Sequence, residues 1–270
     1  MSDFLVQHDT AIRLTAFALM LAGMTAWEFV APRRRLRVPL TGRWIANIGL
    51  VILSTLTIRL ILPLAAVGVA TVAAARGFGL FNVVELPAWL AFAAALVLLD
   101  LAIWAQHVAM HKVPLLWRLH RVHHSDVDFD STSGVRFHPI EIVVSMVYKI
   151  AVVAAIGAPA AAVVVFEIAL SSGALFNHGN VRLPLGADRI LRRVIVTPDM
   201  HRVHHSVRRQ ETDSNYGFNL SVWDRLFGTY RDQPVDGHEG MAIGLEAFRS
   251  ARDRHLGRLL LQPLVAQRRH

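Results

Sequence analysis

The chain has 270 residues, 54% of them hydrophobic, a mean hydropathy of +0.41, no cysteine and a formal net charge of +8. The lack of cysteine excludes disulfides, thiolate metal sites, iron–sulfur clusters and a cysteine nucleophile. Several stretches approach the ~20 apolar residues needed to cross a bilayer. The arginines lie mainly in loops beside those stretches, which the positive-inside rule explains more simply than nucleic-acid binding.

No cleavable signal peptide is expected, because the Met-Ser-Asp start has no basic region and the first apolar run has no small-residue cleavage site. Residues 11–31 read as a first membrane helix, apolar except for Arg13 and Glu28 near its ends. Pro32 and the run Arg33-Arg34-Arg35-Leu36-Arg37 stop it and place that end in the cytoplasm. Residues 44–72 read as a longer second span with Pro63 inside it, in which Arg59 must face protein, water or the interface. Residues 73–86 form the return loop. Pro87 to about Gln106 is the third span, which delivers His107 and His111 to the cytoplasmic surface. Asp100 lies inside it. An intramembrane carboxylate marks function by default, and two roles stay open: an acceptor supporting a histidine or arginine, or a polar contact between helices.

Residues 112–138 are polar and carry a second histidine cluster. His138-Pro139 leads into two shorter apolar segments, 140–157 and 160–176, separated by Gly157-Ala158-Pro159 and readable as a helical hairpin or a re-entrant pair. Either returns the chain to the side it left, so every histidine cluster lands on the cytoplasmic face. Beyond Asn177 no further span is expected. Thr197-Pro198-Asp199 reads as a helix start, with a hydroxyl cap and proline at the first helical position. Residues 245–262 alternate basic and apolar positions at roughly helical spacing, suited to the membrane interface, to capping the site or to packing on the cytoplasmic layer. Arg268-Arg269-His270 reads as a frayed terminus. The expected architecture is all-α: an integral-membrane bundle of three full spans plus a helical hairpin, with a cytoplasmic histidine-rich helical cap. The expected divisions are 1–86, N-terminal membrane helices; 87–232, a catalytic domain; and 233–270, a cytoplasmic tail.

The chemistry is in the histidines. His107 and His111 share a helical face, as do His120, His123 and His124, and His120-Arg-Val-His-His124 is repeated at His201-Arg-Val-His-His205. His178 joins them, in Asn177-His178-Gly179-Asn180 at the end of an apolar segment. Neutral imidazole is the commonest protein ligand for a transition metal, and nine such nitrogens suit two ions with four or five ligands each. His138, Asp100, Asn177, Asn180, Asp199 and Asp224 are candidates for a further ligand or for supporting the ligands. For Asp199 and Asp224, capping or pairing with Arg202 or Arg225 stays equally open. His8, His238, His255 and His270 stand alone and read as surface residues. An all-nitrogen pair of ions fits iron better than zinc, because zinc catalysis usually needs fewer ligands and a nearby carboxylate base. Two irons can activate dioxygen, and a membrane setting makes a lipid C–H bond the expected target.

The ordered set HxxxH, HxxHH, His178 and HxxHH resembles the fatty acid hydroxylase superfamily, which includes sterol desaturases. So do Leu116-Trp117-Arg118, Arg136-Phe137-His138-Pro139-Ile140-Glu141 and the stretch from Asn215-Tyr216-Gly217 to Phe227-Gly228-Thr229, and the resemblance covers about residues 90–232. It implies a non-haem di-iron centre held by His107, His111, His120, His123, His124, His201, His204, His205 and His178, with O2 as co-substrate and an external electron donor. No dinucleotide fingerprint is present, so a separate ferredoxin- or cytochrome-like partner is expected on the arginine-rich face. The expected reaction is hydroxylation or desaturation of a lipid, sterol-like or isoprenoid substrate, and no nucleic acid is expected as a partner. A membrane metal-binding or transport protein and a membrane zinc hydrolase are the alternatives. The hydrolase predicts a carboxylate within the histidine helix, absent from His107-Val-Ala-Met-His111, and a transporter predicts histidines spread along the spans. An arginine-rich composition with only Lys112 and Lys149 points to a bacterial inner membrane.

Overall fold

The computed structural model describes residues 2–62 and 64–266. The principal helices, numbered in chain order, are α1 (Asp9–Val30), α2 (Leu40–Ile61), α3 (Ala66–Ala75), α4 (Ala88–Lys112), α5 (Pro114–His124), α6 (Pro139–Ile156), α7 (Ala160–Asn177), α8 (Leu185–Leu191), α9 (Pro198–His204), α10 (Val222–Leu226) and α11 (Leu256–Leu261). Among the described residues there is no strand, only isolated bridges such as Ile195 with Leu220 and Ser206 with Ile243. This is an integral-membrane helical bundle.

Among the described residues, five segments are long and apolar enough to cross a membrane, coinciding with α1, α2–α3, α4, α6 and α7. Large apolar side chains such as Leu19, Ile52, Leu60, Trp89 and Val147 stand exposed on them. In water such a surface would be a liability; against lipid it is the favourable one. The second span differs from the expected 44–72 helix. It ends at Ile61, because the residue before a proline disfavours the α region, and Pro63 itself lies outside the described residues. The chain restarts as α3, whose Ala66, Val67 and Ala70 pack with Val153 of α6 and Ala162 and Val163 of α7. Small residues let these backbones approach closely. Arg59, in the last turn of α2, is not buried against protein, which leaves water or the interface of the expected settings.

The hairpin α6–α7 follows the expected bounds closely. Pro139 opens α6 at its first position, and Gly157 closes it in the left-handed conformation at φ 63°. A Cβ there would meet the Asn82 amide at 2.7 Å, so glycine serves both the turn and the approach. At ~1.5 Å per residue each arm spans roughly 27 Å, close to a hydrocarbon core. Both α3 and α4 pack against each arm, while α1 lies along α7 and α2 along α6.

The remaining chain forms a polar layer at one end of the bundle, tied to it by buried charge. Arg43 at the start of α2 donates to both carboxylate oxygens of Asp126 at 2.8 Å and to Asp130 at 2.5 Å. Arg136, fully buried, donates to the Val122 carbonyl, Asn47 and Ser125. Losing one partner from such a network strands a buried charge and costs about 3–5 kcal/mol. The segment expected to be one amphipathic stretch at 245–262 is instead broken. A 3-10 turn (Ala251–Arg254) precedes α11, whose Leu256, Leu259 and Leu260 pack on Ala46, Leu50 and Val122. It therefore packs on the polar layer and the adjoining end of α2. Residues 268–270, expected to be frayed, lie outside the described residues.

Candidate metal centre

Four elements bring nine histidines into one buried core. α4 carries His107 and His111 in its last turns, α5 carries His120, His123 and His124, and His178 follows α7. The helix α9, capped by the Thr197 hydroxyl with Pro198 at its first position, carries His201 and His204 and ends at His205. The side chains sort into two groups: His107, His111, His120, His124 and His204, and beside them His123, His178, His201 and His205. Within each group one ring nitrogen per residue lies within 4.8 Å of the others.

The two HRVHH copies divide in opposite ways. In the first, the outer pair His120 and His124 joins the group of five and His123 crosses to the group of four. In the second, His201 and His205 join the group of four and His204 crosses to the five. Residues at i and i+4 lie one above the other on a helix, whereas i+3 is rotated toward the neighbouring face. Each short helix thus reaches both groups, and the rings of His124 and His205 stack across the boundary at 4.5 Å.

The ring orientations are fixed from behind. Nδ1 of His107 donates to the Tyr216 carbonyl, Nδ1 of His204 to the Ser214 carbonyl and Nδ1 of His178 to the Ala174 carbonyl, each at 2.7 Å. His120 Nδ1 donates to Glu141 at 2.6 Å. A carbonyl only accepts, so Nδ1 must carry the hydrogen and Nε2 must carry the lone pair. Yet His107 Nε2 lies 3.1 Å from the Nε2 atoms of both His204 and His120, so three lone pairs converge. In the other group His178 Nε2 lies 3.1 Å from the Nε2 atoms of His123, His201 and His205, whose Nδ1 atoms have no partner among the described residues. Lone pairs facing one another in a dry core repel, and a cation between them converts that repulsion into coordination. The donor set fits metal ions.

Burial, then the neighbouring imidazoles, holds His123, His124, His201 and His205 well below the ordinary histidine value. Burial lowers His178 to about 4 and His204 to about 3. These rings are therefore neutral at pH 7, as ligands must be. An aromatic shell surrounds them: Phe137 stacks on His123 at 4.5 Å, Phe129 on His178 at 5.4 Å, and Trp117 lies 5.0 Å from His111.

The other expected residues take supporting places. Asp100 accepts from Trp223 Nε1 at 2.8 Å, Asn219 at 2.9 Å and the Leu220 amide at 3.2 Å, so it anchors a loop and holds neither a histidine nor an arginine. Asp224 accepts from the Tyr216 and Gly217 amides, Trp104 and Thr229 and makes no pair with Arg225. Through Tyr216 it sets the carbonyl that orients His107. Asn177 donates to the Phe218 carbonyl. Asn180 clamps Arg34 through its side chain, accepting from the Arg34 amide at 3.0 Å and donating to its carbonyl at 2.9 Å. Asp199 pairs with Arg202 and Arg33. His138 joins neither group: it caps α6, accepting from the Ile140 amide at 3.2 Å and donating to the Leu260 carbonyl at 3.2 Å.

His238, expected at the surface, is buried, donating to Gln233 at 3.1 Å and lying 3.6 Å from Asp199. His8 and His255 are exposed as expected, and His270 lies outside the described residues. Glu141 and the Tyr216, Ser214 and Ala174 carbonyls were not singled out by the sequence as site groups. A Glu three residues after a histidine that begins a helix is the one signal that could have found Glu141; carbonyls have none.

Comparison with known proteins agrees with this core. The fatty acid hydroxylase family model matches residues 92–229, which contain all nine histidines. An ornithine lipid hydroxylase of Rhizobium tropici is 31% identical over 52% of this chain and 41% of its own length. An alkylglycerol monooxygenase of Homo sapiens is 30% identical over 57% of this chain and 34% of its own. A fatty acid hydroxylase of a Lecanicillium species is 28% identical over 60% and 49%. The chain thus spans less than half the length of these relatives, and no solved structure matches it. The chain belongs to the fatty acid hydroxylase family.

Proposed function

We propose that the protein is a membrane-bound non-haem di-iron oxygenase that uses O2 to hydroxylate a lipid. The observation that carries this reading is the nine-histidine core, in which the Nε2 lone pair of His107 faces those of His120 and His204 at 3.1 Å and the other rings converge at similar distances. A group of five ligands already exceeds the tetrahedron of a zinc site. Neither group contains a carboxylate, which further disfavours a zinc hydrolase. The histidines gather at one end of the bundle, which disfavours a transport path along the spans.

The two groups would hold a pair of iron ions, which would supply reductive activation of dioxygen: with two electrons from the donor protein and two protons, one oxygen atom would enter the C–H bond as hydroxyl and the other leave as water. The chain's own residues do the rest. The Tyr216, Ser214 and Ala174 carbonyls and Glu141 fix the tautomers and aim the Nε2 atoms. Phe129, Phe137, Phe218 and Trp117 exclude water from the core. The helices α4 and α7 run from the apolar belt to the histidines, so the core lies at the boundary of the hydrocarbon phase that holds a lipid substrate. Electrons come from a separate ferredoxin- or cytochrome-like protein, for which the exposed arginines of the polar layer are a complementary face. That layer lies on the cytoplasmic side of a bacterial inner membrane, following the arginine run 33–37.

Hydroxylation is favoured over desaturation because the relatives are named as hydroxylases and a monooxygenase. The reading is tested by incubating chain-containing membranes with isotopically heavy dioxygen and a reductase system. Labelled hydroxyl in a membrane lipid, lost in His123→Ala, is expected; an unlabelled lipid pool, or label that survives the substitution, rejects it.

A further inference from the structure

The loop between α1 and α2 walls a cavity of about 440 Å³, apolar along Phe29, Leu40 and Trp44. It lies where two spans leave the hydrocarbon, and it is separate from the histidine groups. Two donors that line it have no acceptor. Arg34 is 8% exposed; its Nη2 donates to the Met241 carbonyl at 2.8 Å and its backbone is clamped by Asn180, yet Nη1 has no partner. The buried Nε1 of Trp44 has none either. The two carboxylates in the wall do not serve them. Glu28 accepts from the Ser131 amide and hydroxyl and the Asn180 amide, and Asp130 from Arg43 and Thr132.

A rigid guanidinium with an unused N–H, beside an unused indole N–H, is costly in the absence of an acceptor and suits an oxyanion. Burial and the nearby Arg202 push Arg34 down to about 10, so it keeps its charge at neutral pH. The far side of the same loop lines a groove of about 550 Å³ with Arg33, Arg35, Arg37 and Arg182, of which Arg33 and Arg182 pair with Glu239 in the same wall. We propose that the cavity binds the oxyanion of an anionic lipid headgroup, phosphate or carboxylate, at Arg34 and Trp44, with the hydrocarbon lying along Phe29 and Leu40. The apolar wall and the position at the membrane boundary favour an amphiphile over a free ion.

The test needs no turnover, so its result is independent of the proposed reaction. The full chain in neutral detergent is titrated with lysophosphatidic acid, with uncharged monoacylglycerol and with inorganic phosphate, and occupancy is read by native mass spectrometry. Lysophosphatidic acid is expected to bind, about tenfold more weakly in Arg34→Gln and about threefold more weakly in Trp44→Phe. Equal binding of monoacylglycerol, or unchanged affinity in both variants, overturns the proposal. Displacement of the lipid by inorganic phosphate at equal concentration assigns the pocket to a free ion and overturns it too. Melting temperature and metal content check that each variant is folded. Trp44→Phe keeps an aromatic wall while removing the unpartnered N–H. If Arg34→Gln does not fold, the selectivity of this variant for lysophosphatidic acid over monoacylglycerol decides the matter: unchanged selectivity overturns the proposal.

Discussion

Glu141, in the first turn of α6, accepts from Nδ1 of His120 at 2.6 Å, with the two side chains each 3% exposed. The link joins the hairpin to the group of five histidines. It also makes the ring a better donor through Nε2, because a carboxylate behind an imidazole raises its basicity. Glu141→Gln keeps the shape and removes the charge. Metal affinity is expected to fall roughly 10–100-fold, with metal lost more readily from the group of five, which contains His120, than from the group of four. A chelator titration followed by elemental analysis shows this; metal retention equal to wild type would mean that Glu141 only braces the helix.

His138→Asn separates capping from ligation. The substitution keeps a helix-capping side chain, so it should leave metal content unchanged and cost about 1 kcal/mol or less of stability. His178→Ala should remove one of four nitrogens from its group and reduce bound metal. Should His138→Asn strip metal as His178→Ala does, the capping assignment is wrong.

Asp100 and Asp224 hold the two ends of one device. The first anchors Asn219–Trp223 to α4, and the second binds the Tyr216 and Gly217 amides while Trp104, over which Phe227 stacks at 4.5 Å, donates to it. Each of Asp100→Ala and Asp224→Ala strands several buried donors and should destabilise by about 2–5 kcal/mol. Because they share one loop, the double variant should fall short of the sum by about 0.5–3 kcal/mol. Melting curves of the four proteins of the cycle measure this, and strict additivity would dissolve the single device into two unrelated contacts.

The pH dependence has a distinct contributor away from the ligands. Burial lowers His238 to about 4, against the opposing pull of Asp199. With the folded value below the unfolded value of ~6.5, the unfolded state binds more protons between the two. Its contribution is complete above about pH 6.5 and is lost as pH falls toward 4, amounting to roughly 1–3 kcal/mol. His238→Gln should therefore flatten the decline of melting temperature between pH 6.5 and 4.5. An unchanged slope would place the acid sensitivity elsewhere.

What the sequence revealed, and what it hid, follows from how each feature is encoded. The histidine spacings state the ligand candidates directly, and hydropathy marks the membrane segments, because both are properties of side chains in order. The break of the second span was hidden because Ala66–Ala75 is as apolar as the helix before it. The crossing of His123 and His204 into opposite groups was hidden because spacing places residues on a helix and says nothing of how two helices face each other. His238 looked solitary because Asp199 and Gln233, its neighbours in space, lie apart in sequence or carry no metal signal. The acceptors behind His107, His204 and His178 are backbone carbonyls, which any residue supplies.

The central claim is that the two histidine groups would hold two iron ions. Elemental analysis with Mössbauer spectroscopy on protein purified from iron-supplied cells tests it most directly. The account predicts about two irons per chain with a coupled di-iron signal, abolished or split by His123→Ala and by His204→Ala, since each crosses to the opposite group. One zinc per chain, or a metal-free protein that still oxidises lipid, would contradict it.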